Sequence, residues 1–383
     1  MLYTPELFEP LTEAQWDGER AAEQVRGIVS DTERALRGPR LMWKADAWDG
    51  WHGTSPMKNL YVGAAGVLWG LDRLQARGYE TRLDLGALGQ QTLELFRARP
   101  DYMKGMKLPA QRDSSLACGL AGIAFVAWRL TRARELEDEL YDLVRANVDN
   151  EIEEVMWGAP GTLVIARAML EAMGETRWRD AHDETASALL SRRDPEGFWV
   201  QRMYGQEFRG LQPWHGLVGN VATLRLADDK TTAVLERTAV VEDGLTNWPY
   251  RERPQLASPD GVIRLQFCCG APGIVALASD YLDEELLVAG AELAWRAGPP
   301  GMEKGPCLCH GTAGTGCAFL KLFLRTGDER WLDRARRFAM HALEQVERRG
   351  HGRYSLFTGD IGVALYAADC IDARAEIPVF DVL

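Results

Sequence analysis

Seven times along the chain a Gly-x-x-Gly step leads into a run of almost uninterrupted apolar residues: VGAAGVLWGL, CGLAGIAFVA, WGAPGTLVIA, HGLVGNVATL, CGAPGIVALA, HGTAGTGCAF and TGDIGVALYA. The first glycines are Gly63, Gly119, Gly158, Gly216, Gly270, Gly311 and Gly359, spaced 39 to 58 residues apart. Each interval holds two helices and their connections, the signature of a repeat architecture. Runs such as GVLWGLDRL and GIVALASDYL are apolar nearly all round, which predicts a helix buried on every side. The stretches between them are amphipathic. In DERWLDRARRFAMHALEQVE, Trp331, Ala335, Phe338 and Ala342 fall on one helical stripe with Arg and Glu elsewhere, the pattern of an outer helix. Alternating β-branched runs are scarce; GFWVQRMY predicts one short strand.

This period predicts an all-α chain: an α/α toroid of seven inner–outer helix pairs, one domain over residues 1–383. Residues 1–60 form a helical lead-in and the repeats run from about 61 to 383. The glycines let backbones crowd at the inner helix starts and permit unusual φ/ψ. In four of the seven copies the motif reads as packing alone.

Composition narrows the function classes. Of 383 residues, 46% are apolar and 26% charged, enough for a large core. Lys and Arg number 44 against 56 Asp and Glu, so the net charge is −12, which argues against nucleic acid as a partner. No apolar run reaches the roughly 18 residues of a membrane span. The opening MLYTPELFEPLTEAQWDGER is acidic and mixed rather than a secretory signal. The expected location is cytoplasmic. Seven cysteines, an odd number, do not read as a disulfide framework but as metal or catalytic chemistry.

The residues just before the first glycines are Val62, Cys118, Trp157, His215, Cys269, His310 and Thr358. In a ring of repeats these positions meet at one end of the central cavity. The fourth, fifth and sixth copies carry His215, Cys268-Cys269 and Cys309-His310. Two thiolates and one imidazole suit Zn²⁺, and three protein ligands leave a fourth position open, as catalytic zinc sites do. Cys268, Cys309 and His310 are the candidate ligands. Cys118, Cys317 and Cys370 read as core residues. Cys307 stands too close to Cys309 for the usual ligand spacing. His52, His182, His341 and His351 have no repeat register and read as surface or structural.

With FCCGAPG at 267–273, CLCHGTAG at 307–314 and WHGLVGN at 214–220, the chain resembles the lanthionine synthetase C-like family. The closing SLFTGDIGVALYAAD and the final IPVF are similar too, so the resemblance runs from about Tyr61 to the C-terminus. It implies that Cys268, Cys309 and His310 bind zinc and that His215 acts as acid or base. It further implies that Arg264 matches an active-site arginine of the bacterial cyclases, and Lys304 a pocket lysine of the eukaryotic-type branch. There are departures. Cys269 stands where the family usually has Tyr or His. Ser115 stands where cyclases have Asp, with Asp113 two residues earlier, and Cys118 looks more like the eukaryotic-type branch. These points shift weight from ordinary cyclisation toward a thiol-adding relative.

The activity implied is enzymatic thioether formation: zinc-dependent addition of a Cys thiol to dehydroalanine or dehydrobutyrine, cyclising a dehydrated peptide. One alternative is intermolecular addition of glutathione or another small thiol to dehydroamino acids in proteins. Another is a zinc-binding partner protein without turnover. No dehydratase or kinase segment is in the chain, so a separate dehydratase or kinase is the expected partner. An α/α-barrel glycosidase or terpenoid cyclase would need carboxylate pairs or acidic metal motifs. Asp360 is the one acidic residue at a repeat's helix start.

Overall fold

Fourteen α-helices alternate between an outer and an inner layer in the computed structural model, which describes residues 1–36, 38, 42–44, 46, 56–101, 112–203, 205–252, 263–350 and 352–383. The outer helices are α1 (Gly18–Ala35), α3 (Leu85–Ala98), α5 (Glu135–Ala146), α7 (Thr176–Arg192), α9 (Asp229–Thr238), α11 (Glu284–Ala297) and α13 (Glu329–Arg349). The inner helices are α2 (Ala64–Gln75), α4 (Leu120–Thr131), α6 (Ala159–Met173), α8 (Leu217–Leu224), α10 (Ala271–Ala278), α12 (Thr312–Thr326) and α14 (Asp360–Asp372).

The two layers start differently, for reasons visible in their sequences. Five outer helices begin at an aspartate whose carboxylate accepts from backbone N–H groups of the first turn: Asp17, Asp84, Asp228, Asp283 and Asp328. Every inner helix begins instead at the first glycine of its motif. In α10 all eight residues are buried, whereas α13 buries one face carrying Trp331, Ala335, Phe338 and Ala342. No helix among the described residues is long and apolar enough to cross a membrane.

The ring is closed. Each inner helix packs against the next, and α14 packs against α2. The outer helix α1 packs against α14. The N-terminal segment expected to be a lead-in therefore supplies the last pair's outer wall. Six repeat junctions are also stitched by backbone hydrogen bonds in the loops before the inner helices: Tyr61 to Ala117, Ala117 to Met156, Val155 to Trp214, Cys268 to Cys309, Cys309 to Phe357, and Phe357 back to Tyr61, at 2.8–3.4 Å.

Close approach explains the second glycine of each motif. A Cβ at Gly66, Gly122, Gly161, Gly219, Gly273, Gly314 or Gly362 would lie only 1.7–2.2 Å from the carbonyl oxygen six residues earlier. The loop folds back onto its own helix, and the neighbouring repeat closes in as well: the added Cβ would lie 2.9 Å from Leu356 Cβ at Gly66, 2.7 Å from Pro213 Cγ at Gly273 and 2.8 Å from Phe267 Cβ at Gly314. Unusual φ is confined to one first glycine, Gly270, at +117°; the other six are extended.

Two hairpins decorate the toroid. Strands β1 (Val200–Met203) and β2 (Gln206–Arg209) pair antiparallel where GFWVQRMY predicts a strand. Strands β3 (Val240–Glu242) and β4 (Leu245–Asn247) pair across Asp243-Gly244, both at positive φ. The C-terminal IPVF segment returns to the ring, where Phe380 packs against Trp214 (5.1 Å between centroids) and Phe267 (6.0 Å).

Of the four histidines without register, His182 lies 3.0 Å from Asp183. His341 is buried and ties the N-terminal segment to α13 through Thr12 and Glu9. His52 and His351 lie outside the described residues. Cys118, Cys317 and Cys370 are buried in the core as expected.

Candidate metal centre and its pocket

The loops preceding the inner helices deliver the chemistry. The residue two before each first glycine is Tyr61, Ala117, Met156, Trp214, Cys268, Cys309 or Phe357. The junction hydrogen bonds run through these residues, and they surround the ring's central axis. Tyr61 stacks on Phe357 (5.1 Å, 12°), and Trp214 meets both edge-on at 5.3 and 4.7 Å. The two cysteines complete this belt beside the aromatic cluster.

The ligand atoms of Cys268, Cys309 and His310 all lie within 4.8 Å of one another. His310 Nδ1 is 3.0 Å from Cys268 Sγ. Gln266 donates to Cys268 Sγ at 2.9 Å, and the Tyr61 hydroxyl donates to Cys309 Sγ at 2.6 Å. A tetrahedral zinc ion with Zn–S near 2.3 Å and Zn–N near 2.05 Å would need donors about 3.5–3.8 Å apart. The three donors are of the right kind, and with His310 Nδ1 3.0 Å from Cys268 Sγ and all three within 4.8 Å of one another they could hold such an ion after a small adjustment.

Electrostatics favours one thiolate here even without an ion. A hydrogen bond from the Cys309 thiol, with His310 and Gln266, holds the Cys268 thiol well below its usual range despite burial. Burial and the neighbouring Cys268 push Cys309 well above it. Burial and both cysteines push the Tyr61 phenol up, so it remains a donor.

The centre forms one wall of a pocket of about 390 Å³. His215, Arg264 and Cys269 line it, with Met156, Met203, Phe208 and Tyr250 as apolar wall. The hairpin β1–β2 and the Gly210–Arg251 bridge build that wall. Among the described residues Arg264 has no carboxylate partner. The Arg251 guanidinium lies 4.3 Å over Phe208 and donates to Gln206. His215 Nδ1 is 2.6 Å from a buried carboxylate oxygen of Glu154.

Several sequence expectations shift. Of the residues directly before the first glycines, only His215, Cys269 and His310 reach the pocket; Val62, Cys118, Trp157 and Thr358 are buried in packing. Lys304 does not line the pocket. A turn closed by Lys304 N and Gly305 N on Gly301 O carries it to Glu303, 3.1 Å away. Asp113 is exposed. Ser115 is a loop cap, accepting from Cys118 N and donating to Met156 O. Cys307 is buried, its sulfur 3.8 Å from the Lys304 carbonyl, and it stands outside the three-donor group. Asp360 pairs with Arg349. Sequence reasoning missed Tyr61, Glu154, Gln266 and Arg251. Tyr61 shares the register of Cys268 and Cys309, and that signal was there to be used.

A closed ring of seven helix pairs with a Cys₂His cluster at its rim defines a class of toroidal proteins able to hold a thiophilic metal. The description "Lanthionine synthetase C-like protein" attaches to a family model that matches residues 55–382, and the chain belongs to that family. The solved structure of nisin cyclase superposes with a TM-score of 0.62 over 92% of this chain and 94% of that one, at 15% identity. The glutathione S-transferase LANCL1 of Danio rerio is 32% identical over 134 residues. That match spans 31% of this chain and 31% of the relative's length.

Proposed function

We propose that this protein forms thioethers by adding a thiol to the β-carbon of a dehydroalanine or dehydrobutyrine residue. The observation that carries this reading is the convergence of Cys268, Cys309 and His310 within 4.8 Å on a pocket that His215 and Arg264 also line. Zinc held by these three side chains would keep an incoming thiol ionised at neutral pH, where a free thiol of pKa near 8.5 is only about 3% thiolate.

The chain's own residues do the rest. The apolar wall of Met156, Met203, Phe208 and Tyr250 packs the alkene and thins the water around it. As the sulfur–carbon bond forms, the alkene's electron pair moves onto the carbonyl oxygen, and the Arg264 guanidinium stabilises the enolate. His215 accepts the thiol proton and returns one to the α-carbon. Holding both reactants in one small cavity supplies the orientation.

Thiol and alkene in one dehydrated peptide give cyclisation. A separate thiol gives intermolecular addition, which the likeness to a glutathione S-transferase favours as a second reading. Mass spectrometry of a dehydrated peptide incubated with the zinc-loaded protein, with and without glutathione, separates them. Cyclisation leaves the mass unchanged but removes a titratable thiol; addition raises the mass by one glutathione. Retention of both alkene and thiol would sink the enzymatic reading.

A further inference from the structure

The IPVF segment at 377–380 sits at the opposite end of the toroid from the metal-binding group. Phe380 and Asp381 line a second cavity, of about 360 Å³, together with Arg225, Leu226, Leu277 and Tyr281 at the C-terminal ends of α8 and α10. The metal-binding residues, by contrast, precede inner helix N-termini.

Several ties hold the segment there. Arg73 and Arg77 each reach Glu376 at 2.6 Å, Lys321 Nζ lies 2.6 Å from Asp381 Oδ1, and Arg129 donates to the Leu383 carbonyl at 3.2 Å. Asp381 also closes a tight turn. Its Oδ2 accepts from Ile377 N at 2.7 Å, and its own N–H donates to the Ile377 carbonyl at 2.9 Å. The turn puts Val379 at φ +74°. A β-branched residue keeps that conformation only where its surroundings impose it. Ile377, Val379 and Phe380 are all buried. A segment that merely trailed over the surface would relax out of such a turn.

What the constraint achieves is the placement of one phenyl ring. Phe380 meets Trp214 at 5.1 Å between centroids and 66°, and Phe267 at 6.0 Å and 61°. Trp214 directly precedes His215, and Phe267 directly precedes Cys268. Both loops also carry inter-repeat junctions: the Trp214 carbonyl accepts from Val155 N at 3.2 Å, and Cys268 N donates to the Cys309 carbonyl at 3.0 Å. One side chain from the far end therefore backs two rim loops at once. Trp214 lines the metal pocket, so its contact with Phe380 stands between the two cavities. Truncating the phenyl ring would strip contacts from Trp214 and Phe267 on that side and leave them room to shift.

We propose that Phe380 is a positioning residue: pressed onto Trp214 and Phe267 from the far end of the toroid, it fixes the loops that carry His215 and Cys268. The ionic ties and the turn at Val379 hold it in place. This rests on the reading of Cys268 as a metal ligand and His215 as the proton carrier.

The test compares Phe380→Ala with Phe338→Ala. Phe338 is a buried ring of α13 that also touches two aromatic neighbours, Trp295 at 5.9 Å and Phe319 at 5.0 Å, but lines neither cavity. In the metal-free protein, hydrogen exchange at the Val155 and Cys268 amides should speed about tenfold relative to core amides in Phe380→Ala, and keep its wild-type ratio in Phe338→Ala. Zinc binding, measured by chelator competition, should weaken about tenfold in the first and stay unchanged in the second. Thioether formation by Phe380→Ala should fall roughly 10²-fold in kcat with KM little changed. Phe380→Leu, a milder truncation, should move every readout the same way by less, and it carries the comparison if the alanine variant does not fold. Wild-type exchange at both amides in Phe380→Ala, or equal changes in the two alanine variants, would overturn the proposal. If the wild type binds no zinc and forms no thioether, the function proposed above fails, while exchange at the two amides still decides whether Phe380 holds the loops.

Discussion

The Tyr61 hydroxyl donates to the Cys309 sulfur across 2.6 Å, although 248 residues separate them in the chain. The first and sixth repeats thus meet at one sulfur atom. The bond exists because both residues stand two before a first glycine and the ring gathers that register at its axis. Tyr61→Phe should keep the stack on Phe357 while removing the donor. The expected result is about tenfold weaker zinc binding, measured by chelator competition, with a stability loss of only about 1 kcal/mol. Unchanged affinity would detach Tyr61 from the centre.

Arg264 carries a charge into the pocket with no carboxylate to meet it among the described residues. Arg264→Ala should lower kcat roughly 10²-fold, in line with the loss of one enolate-stabilising donor. Zinc content should stay at the wild-type level, and Arg264→Lys should recover part of the rate. A fall in zinc content as large as the fall in rate would show that Arg264 supports the fold of the site instead.

The glycine rule predicts opposite signs at two positions. A Cβ at Gly219 would sit 1.7 Å from the Pro213 carbonyl oxygen, whereas at Gly27 in α1 it would meet nothing within 4 Å. Gly219→Ala should destabilise by about 2–3 kcal/mol through forced backbone movement. Gly27→Ala should stabilise by about 0.5–1 kcal/mol through helix propensity. Chemical denaturation of both variants checks this; equal shifts would contradict the close-approach account.

The N-terminal segment should loosen in acid. Thr12 N donates to His341 Nδ1 at 3.0 Å, and Glu9 Oε1 lies 2.7 Å from His341 Nε2. Burial lowers the His341 pKa from 6.5, more than Glu9 raises it. For Glu9 burial acts upward, but hydrogen bonds from Arg348, His341 and Gln345 outweigh it and lower the carboxyl from 4.5. Both folded values lie below the unfolded ones, so both contributions are present above them and are lost as pH falls. Hydrogen exchange at the Glu9 and Thr12 amides should accelerate relative to the core between neutral pH and about pH 4, and Glu9→Gln should blunt the effect. Protection that rises in acid would reverse the sign of the account.

Much of this architecture was legible in the chain because its repeats are marked by a steric necessity. No residue larger than glycine fits under the carbonyl six positions earlier, so the motif survives in all seven loops and locates every inner helix. The candidate metal-binding group was legible through the same motif, in the two residues that precede its first glycine. What escaped was contact between registers. Glu154 differs from Ser115 and Asn59, which cap equivalent loops, only in its charge, and that charge does not name a partner; the packing of one repeat on the next brings it to His215. Lys304 was misplaced for a related reason: its distance along the chain from Cys309 says nothing about the turn at Gly301–Gly305 that carries it to Glu303. The hairpin at Val240–Asn247 had a usable signal in Asp243-Gly244, overlooked among helical periods.

The central claim is that Cys268, Cys309 and His310 act as one ligand set. Metal analysis of the purified protein beside Cys309→Ala tests it most directly. The account predicts about one zinc per wild-type chain and close to none in the variant, with both proteins retaining their helical content. Equal zinc in the two would contradict it.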